Sequence, residues 1–126
     1  EHTLDKEMSE ILSQITGRGH RQLYVTDGRE IIMQDQMQKR APEAYSQGTM
    51  QQAYFSYRMA AGKLLAHEEP LPFLLDETFA SYDEMRLRQT LRWLAKQENQ
   101  IFLFSCRDTE IRLLQEEGIP FQEIYL

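Results

Sequence analysis

Two adjacent acids close an apolar run at Phe73-Leu74-Leu75-Asp76-Glu77. Read as a buried strand, the run places both carboxylates at the C-terminal edge of a sheet, where α/β proteins gather their ligands. Successive strand residues point to opposite faces, so the two acids suit two separate tasks. In nucleotide hydrolases an acid in the first position orients a magnesium ion, often through water, and the second polarises the attacking water. The same pattern also describes a plain strand ending in solvated caps. A second segment lies upstream: Tyr45-Ser46-Gln47-Gly48-Thr49, with Gln52 beyond it, opens a long helix. Ser46 can cap free amides, Gly48 lets backbone approach a ligand, and the helix N-terminus favours an anion. An ordinary N-cap would use these residues too. What sets the two segments apart is their order: helix opening, then helix, then the strand ending in Asp76-Glu77.

The elements that must position these residues follow from periodicity. Leu4, Met8, Ile11, Leu12 and Ile15 recur at helical spacing, and Thr16-Gly17-Arg18-Gly19 ends that helix. Leu23-Tyr24-Val25 and Ile31-Ile32-Met33 flank Asp27-Gly28, which predicts two strands and a tight hairpin turn. The polar stretch from Gln34 to Glu43, with Pro42 near its end, reads as a loop. A second helix begins near Thr49, with an apolar face that includes Met50, Ala53, Tyr57, Ala60, Leu64 and Leu65. After Pro70 and Pro72 come the strand Phe73 to Leu75, a third helix from about Asp83 to Gln97 with Leu87, Leu91, Leu94 and Ala95 facing inward, and a strand from Ile101 to Phe104. A helix through Ile111 and Leu114 is stopped by Gly118 and Pro120, before a last strand from Phe121 to Leu126. Strands alternating with helices imply a largely parallel α/β sheet.

With both segments in this order, Ser46-Gln47-Gly48-Thr49 resembles the ABC signature motif and Leu74-Leu75-Asp76-Glu77 resembles the Walker B motif. Phe79-Ala80-Ser81-Tyr82-Asp83 falls where that family carries its D-loop, ending in the expected aspartate. The string from Tyr45 to Tyr54, followed by Arg58 and Ala60, is similar to the YhaN-like branch of the coiled-coil chromosome-maintenance and DNA-repair ATPases. In that branch Ser-x-Gly-Thr replaces Ser-Gly-Gly. The resemblance runs from about Ile11 to Leu114. It implies an α/β fold: the C-terminal lobe of a P-loop ABC-type ATPase head, with mostly parallel strands, flanking helices and an N-terminal β-hairpin. Residues 1–16 would be the returning end of a coiled coil and 17–126 the lobe itself. From its own residues, the first helix fits a simple packing helix equally well.

The resemblance also implies roles. Asp76 would support Mg2+, and Glu77 would act as general base or water-positioning residue. Ser46, Gln47, Gly48 and Thr49 would meet the γ-phosphate of ATP held by a second head, and Asp83 would meet that head across the dimer interface. Two departures stand out. No Gly-x-x-x-x-Gly-Lys-Ser/Thr segment is present, since Gly62-Lys63 lacks both the upstream glycine and the hydroxyl residue. The expectation is therefore a separate N-terminal Walker A lobe of the same protein, without which the fragment is inactive. The switch histidine is also missing, the chain reading Ser105-Cys106-Arg107-Asp108. Arg107 could contact the γ-phosphate as a cation, or start a helix and pair with a surface acid. The implied partners are the second head as a homodimer, a metallophosphoesterase-type nuclease subunit, and DNA through the full assembly.

Composition sets bounds on these readings. At 126 residues the chain fits one small domain, and 41% hydrophobic content suffices for a core. A net charge of −6 argues against nucleic-acid binding through global charge alone. The single cysteine, Cys106, cannot form an internal disulfide, and no Cys/His spacing resembles a zinc site. No apolar run is long enough to span a bilayer and no signal-peptide pattern is seen, so a cytoplasmic domain without membrane partners is expected. Arg88, Arg92 and Lys96 form a basic stripe that reads as a solvated face, while Arg18 and Arg21 are candidates for a DNA-facing surface. His2, His20 and His67 are scattered and read as surface residues. Two rival readings remain. One is a non-hydrolysing, nucleotide-gated dimerisation module; the other is a transporter nucleotide domain, against which the coil-like first helix and Ser-x-Gly-Thr count. A lobe without its other half is expected to expose apolar surface and self-associate.

Overall fold

The computed structural model describes residues 2–17, 21–36, 38–66, 69–76, 78–105 and 107–125. The chain divides into two compact units, Glu1–Pro70 and Leu71–Leu126. The first holds helix α1 (His2–Thr16), strands β1 (Arg21–Val25), β2 (Ile31–Asp35) and β3 (Gln38–Arg40), a short 3-10 turn at Pro42–Ala44, and helix α2 (Gln47–Leu65). Met8, Ile11, Leu12 and Ile15 form the buried stripe of α1, which packs on β1 and α2. Leu23 and Met33, opposite each other in the β1–β2 register, complete that core with Phe55 and Met59 of α2. Burying a side chain of this size contributes about 1.5–3 kcal/mol.

The antiparallel sheet runs β1-β2-β3, which leaves β1 as an edge strand. An open edge would leave backbone groups unpaired. Here α1 satisfies three of them. Ser9 Oγ accepts from Leu23 N–H at 2.9 Å and donates to Leu23 O at 3.1 Å. An Asp5 carboxylate oxygen accepts from Val25 N–H at 2.9 Å. Four residues of helix advance about 6 Å and two residues of strand about 6.7 Å, so an i, i+4 pair on α1 matches an i, i+2 pair on β1.

The expected hairpin is present between β1 and β2, with a different turn residue in the left-handed conformation. Arg29 N–H donates to Thr26 O at 2.9 Å and Thr26 N–H to Glu30 O at 2.9 Å. Arg29, with φ of 63°, takes the left-handed position that Gly28 was suited to fill. Within the stretch read as a loop, Gln38–Arg40 pairs antiparallel to β2 with Met33 opposite Arg40. All three β3 residues are exposed, so they carry no apolar alternation by which a strand could be recognised. On α2 the buried stripe runs through Gln52, Phe55, Ser56, Met59 and Ala60, whereas Leu65, expected on the apolar face, is 80% exposed.

The second unit holds β4 (Phe73–Asp76), α3 (Glu84–Ala95), β5 (Ile101–Phe104) and α4 (Thr109–Glu116). Strands β4 and β5 are parallel, Leu75 opposite Leu103 and Asp76 opposite Phe104. Phe79, Leu87, Leu91 and Leu113 are buried in this unit. The strand expected from Phe121 is absent: 121–125 has no regular structure, and Ile124 and Tyr125 are exposed. A strand exists only with a ladder partner, and none pairs with this segment among the described residues.

The basic stripe on α3 stays open to solvent at Arg92 and Lys96, and two of its three charges, Arg88 and Arg92, are paired. Arg88 binds Glu117 at 2.7 Å and Glu116 at 2.8 Å, and Arg92 binds Glu117 through Nε at 2.5 Å and Nη2 at 2.9 Å. Arg112 of α4 joins Glu116 at 3.1 Å and pairs with Glu84 at the start of α3. These charge-assisted bonds tie α3 to the end of α4. Hydrogen bonds from Arg92 and then Arg88 pull the Glu117 carboxyl down to about 2. Those from Arg88 and Arg112 also lower Glu116.

Two predictions follow from these contacts. A depressed carboxyl stabilises the fold above its ordinary value of 4.5 and loses that contribution as pH falls toward about 2. Thermal melts should therefore show Tm falling through this window, with a shallower fall in Glu117→Gln. Separately, Ser9→Ala leaves the Leu23 amide and carbonyl unpaired at the sheet edge. Urea unfolding should show a loss of about 1–3 kcal/mol.

Candidate functional site

Ser46 is the N-cap of α2, with extended backbone at φ −62° and ψ 158°. Its Oγ accepts from Thr49 N–H at 3.3 Å and donates to Thr49 Oγ1 at 3.0 Å. Thr49 is buried, Gly48 half-buried, and Ser46 and Gln47 exposed. The first amides of an α-helix have no partner within the helix. With Thr49 N–H taken by Ser46, those of Gln47 and Gly48 remain at the helix tip.

The chain entering this tip is held by contacts that pattern reading missed. Tyr45 N–H donates to Pro42 O at 3.0 Å. The Arg40 and Arg21 guanidinium groups lie over the Tyr45 ring, 4.5 and 5.8 Å from its centroid. Arg21, a sequence candidate for a DNA-facing surface, is also bound to Asp35 at 3.1 Å. The Tyr54 hydroxyl donates to Glu43, and this bond lowers the Glu43 carboxyl and raises the Tyr54 hydroxyl. The aromatic residue before Ser46 was the available signal, but its cationic partners come from β1 and β3.

In the second unit Asp76 is exposed at the C-terminal end of β4. Glu77 lies outside the described residues, as does Cys106. After the strand the chain turns: Phe79 is fully buried, its ring tilted on Tyr82 at 5.2 Å, and Tyr82 N–H donates to Phe79 O at 3.1 Å. Asp83 is the N-cap of α3, accepting from Arg86 N–H at 2.8 Å and pairing with the Arg86 guanidinium. The Arg86 amide is the main reason its carboxyl is lowered. Arg107, beyond β5, sends Nη2 to Phe79 O at 3.0 Å and to Glu110 at 3.0 Å, and Nη1 to Ala80 O at 3.5 Å. Its acid partner is 3% exposed, a buried group rather than the surface acid expected.

The structure thus gathers Ser46, Gln47, Gly48 and Thr49 at one helix tip. It brings Asp76, Asp83 and Arg107 to the loops around the C-terminal ends of β4 and β5. Among the described residues no cluster of three or more His, Cys, Asp or Glu side chains is arranged around a metal. Mg2+ bound with a nucleotide needs only one or two carboxylates, the remaining positions going to phosphate oxygens and water. An exposed Asp76 at the strand end fits one such position.

No family model matches the chain. Among solved structures it is similar to an SMC ATPase described for ATP-driven dimerisation and DNA-stimulated activation. That match has a TM-score of 0.70 and 16% identity, over 89% of this chain and 72% of the other. The SMC head bound to the winged-helix domain of ScpA matches with a TM-score of 0.68 and 19% identity, over 89% and 36%. A Pyrococcus furiosus Smc head with an extended coiled coil, bound to the C-terminal domain of ScpA, gives 0.66 and 19%, over 89% and 30%. The fold is that of part of an SMC ATPase head. Over 69 residues, 52% of this chain, it is also 36% identical to the uncharacterized protein YhaN of Bacillus subtilis (strain 168). It spans 7% of that protein's length. This match fits the YhaN-like resemblance.

One feature of the SMC-like sheet surrounds Asp76 directly. Alternation along β4 and β5 puts Leu74, Asp76, Phe102 and Phe104 on one face. Leu74 is 63% exposed, Phe102 38% and Phe104 41%, whereas Leu75 on the opposite face is fully buried. A parallel pair is ordinarily covered on both faces. Light scattering of the isolated chain should therefore show concentration-dependent self-association, and Phe102→Glu should suppress it. A wild-type chain that stays monomeric at high concentration would contradict the sticky-face reading.

Proposed function

We propose that this chain is the C-terminal lobe of a composite, magnesium-dependent ATPase head. It would be completed by an N-terminal Walker A lobe of the same protein and by a second head in a homodimer. The observation that carries this is the placement of Asp76. It stands at the C-terminal end of a parallel strand, beside an uncovered apolar face, in a chain with the SMC head fold.

In this reading Asp76 supports Mg2+ and Glu77 acts as general base or positions the attacking water. Mg2+ neutralises phosphate charge as it develops. Ser46, Gln47, Gly48 and Thr49 present the capped helix tip to the γ-phosphate of ATP bound in the other head, where a helix N-terminus favours an anion. Asp83 meets that head across the interface. ATP then favours the closed dimer only to the extent that it binds the closed state more tightly, and hydrolysis removes the preference. That an SMC structure of the same fold is described with ATP-driven dimerisation and DNA-stimulated activation supports the reading. The cycle would drive a coiled coil, of which α1 is the returning end, in DNA repair or chromosome maintenance. The YhaN-like resemblance adds a metallophosphoesterase-type nuclease subunit as partner and DNA as the target of the full assembly.

A second reading has its own observation. The residue at the switch-histidine position is an arginine bonded to its own chain. A head of this kind could dimerise on ATP with negligible hydrolysis. Steady-state turnover of the chain rejoined to its N-terminal lobe separates the two. For an ATPase, Glu77→Gln should lower kcat by about 10²–10⁴-fold while ATP-dependent dimerisation persists or strengthens. No turnover in the unaltered protein, with both lobes folded and Mg2+ present, moves the conclusion to the dimerisation module.

A further inference from the structure

A single guanidinium bridges two loops of the second unit. The segment after β5 folds around one buried carboxylate oxygen: Ser105 Oγ donates to Glu110 Oε2 at 3.2 Å and accepts from Arg107 N–H at 3.1 Å. Arg107 Nη2 reaches the same Oε2 at 3.0 Å. That nitrogen also donates to Phe79 O at 3.0 Å, and Nη1 reaches Ala80 O at 3.5 Å, 28 and 27 residues away in sequence. Phe79 O in addition accepts the Tyr82 N–H that shapes the turn before Asp83.

We propose that Arg107 is a positioning residue that latches the 79–83 loop to the start of α4, so that Asp83 is held where the second head would meet it. This rests on the ATPase reading above and deepens it. The residue types explain why an arginine stands here. A guanidinium carries five donors in a planar fork and can serve two carbonyls and a carboxylate at once, which an ammonium on a flexible stem does less well. Withdrawing Arg107 toward a phosphate would leave the Glu110 carboxylate buried without its counter-charge. Glu110 Oε1 already has no hydrogen-bond partner. Glu110 is buried while the Arg107 side chain is 32% exposed. Releasing the cation leaves the buried carboxylate with Ser105 Oγ as its remaining donor, and this favours keeping the cation on the loop. The anchor is rigid because Phe79 is fully buried and Glu110 nearly so.

The test uses the complete protein, this chain joined to its remaining parts, with Arg107→Ala, Arg107→Lys, Glu110→Gln and the Arg107→Ala/Glu110→Gln double variant. A latch predicts that Arg107→Ala and Glu110→Gln each lower kcat, on the order of 10–100-fold, with KM within about twofold. The double variant should be no worse than the poorer single one, because both changes open the same latch. Arg107→Lys should recover only part of the loss. Hydrogen exchange at the Tyr82 amide should quicken in every one of these variants relative to the unaltered protein. This second readout does not need turnover. An unaltered protein without activity would count against the ATPase reading and leave the latch still measurable. Unchanged Tyr82 exchange would overturn the latch. A raised KM in Arg107→Ala beside a silent Glu110→Gln would overturn it in favour of a direct phosphate contact. Should Arg107→Ala fail to fold, Arg107→Lys and Glu110→Gln give the same discrimination.

Discussion

Parallel strands cannot be joined by a tight turn, so the chain leaving β4 must cross over before it can return as β5. Helix α3 is that crossover, and much of the second unit follows from it. The loop between Asp76 and Glu84 has to lie at the C-terminal end of β4, and the loop between β5 and α4 at the C-terminal end of its neighbour. Residues 27 and 28 positions apart are thereby brought into hydrogen-bonding range, as Arg107 and the Ala80 and Phe79 carbonyls show. The crossover also decides the ion pairing. Arg88 and Arg92 on α3 meet Glu116 and Glu117 at the end of α4, so solvent-facing charges join two helices.

The first unit solves a different problem. Its sheet is antiparallel and local, and its difficulty is the open edge of β1. Asp5 and Ser9 cover that edge with side-chain hydrogen bonds, so α1 is joined to the sheet by polar contacts as well as by its apolar stripe. Displacing α1 along β1 would break both kinds of contact together. The chain entering α2 is held by Arg40 and Arg21 on Tyr45 and by the Glu43–Tyr54 bond. The Ser46 cap thus sits between two sets of constraints, with its hydroxyl already committed to Thr49.

Much of the architecture was legible along the chain because it is encoded locally. The stripe Met8, Ile11, Leu12 and Ile15 specified α1 through its period, and Leu87, Leu91 and Leu94 did the same for α3. Ser46 announced the start of α2 because a short polar side chain can satisfy an orphan amide three residues on. The same role of Asp83 for α3 is seen only in the structure. Asp76 could be placed at a strand end because Phe73 to Leu75 is apolar and terminates there. Other elements were hidden. Gln38–Arg40 is a strand only through backbone bonds to β2. Conversely, the residues from Phe121 onward have strand-like composition and no partner to pair with among the described residues.

The sequence by itself therefore determined the periods of α1 and α3, the Ser46 cap, the hairpin, and Asp76 at the end of its strand. Each of these depends on residues within a few positions of one another, so composition and spacing carry the information. Only the tertiary structure decided what Arg88, Arg92 and Arg107 bind, and which face of β4–β5 is left open. A charge declares no partner along the chain. Its partner is whichever opposite charge or carbonyl the crossover brings within about 3 Å, and that distance exists only once the elements have packed.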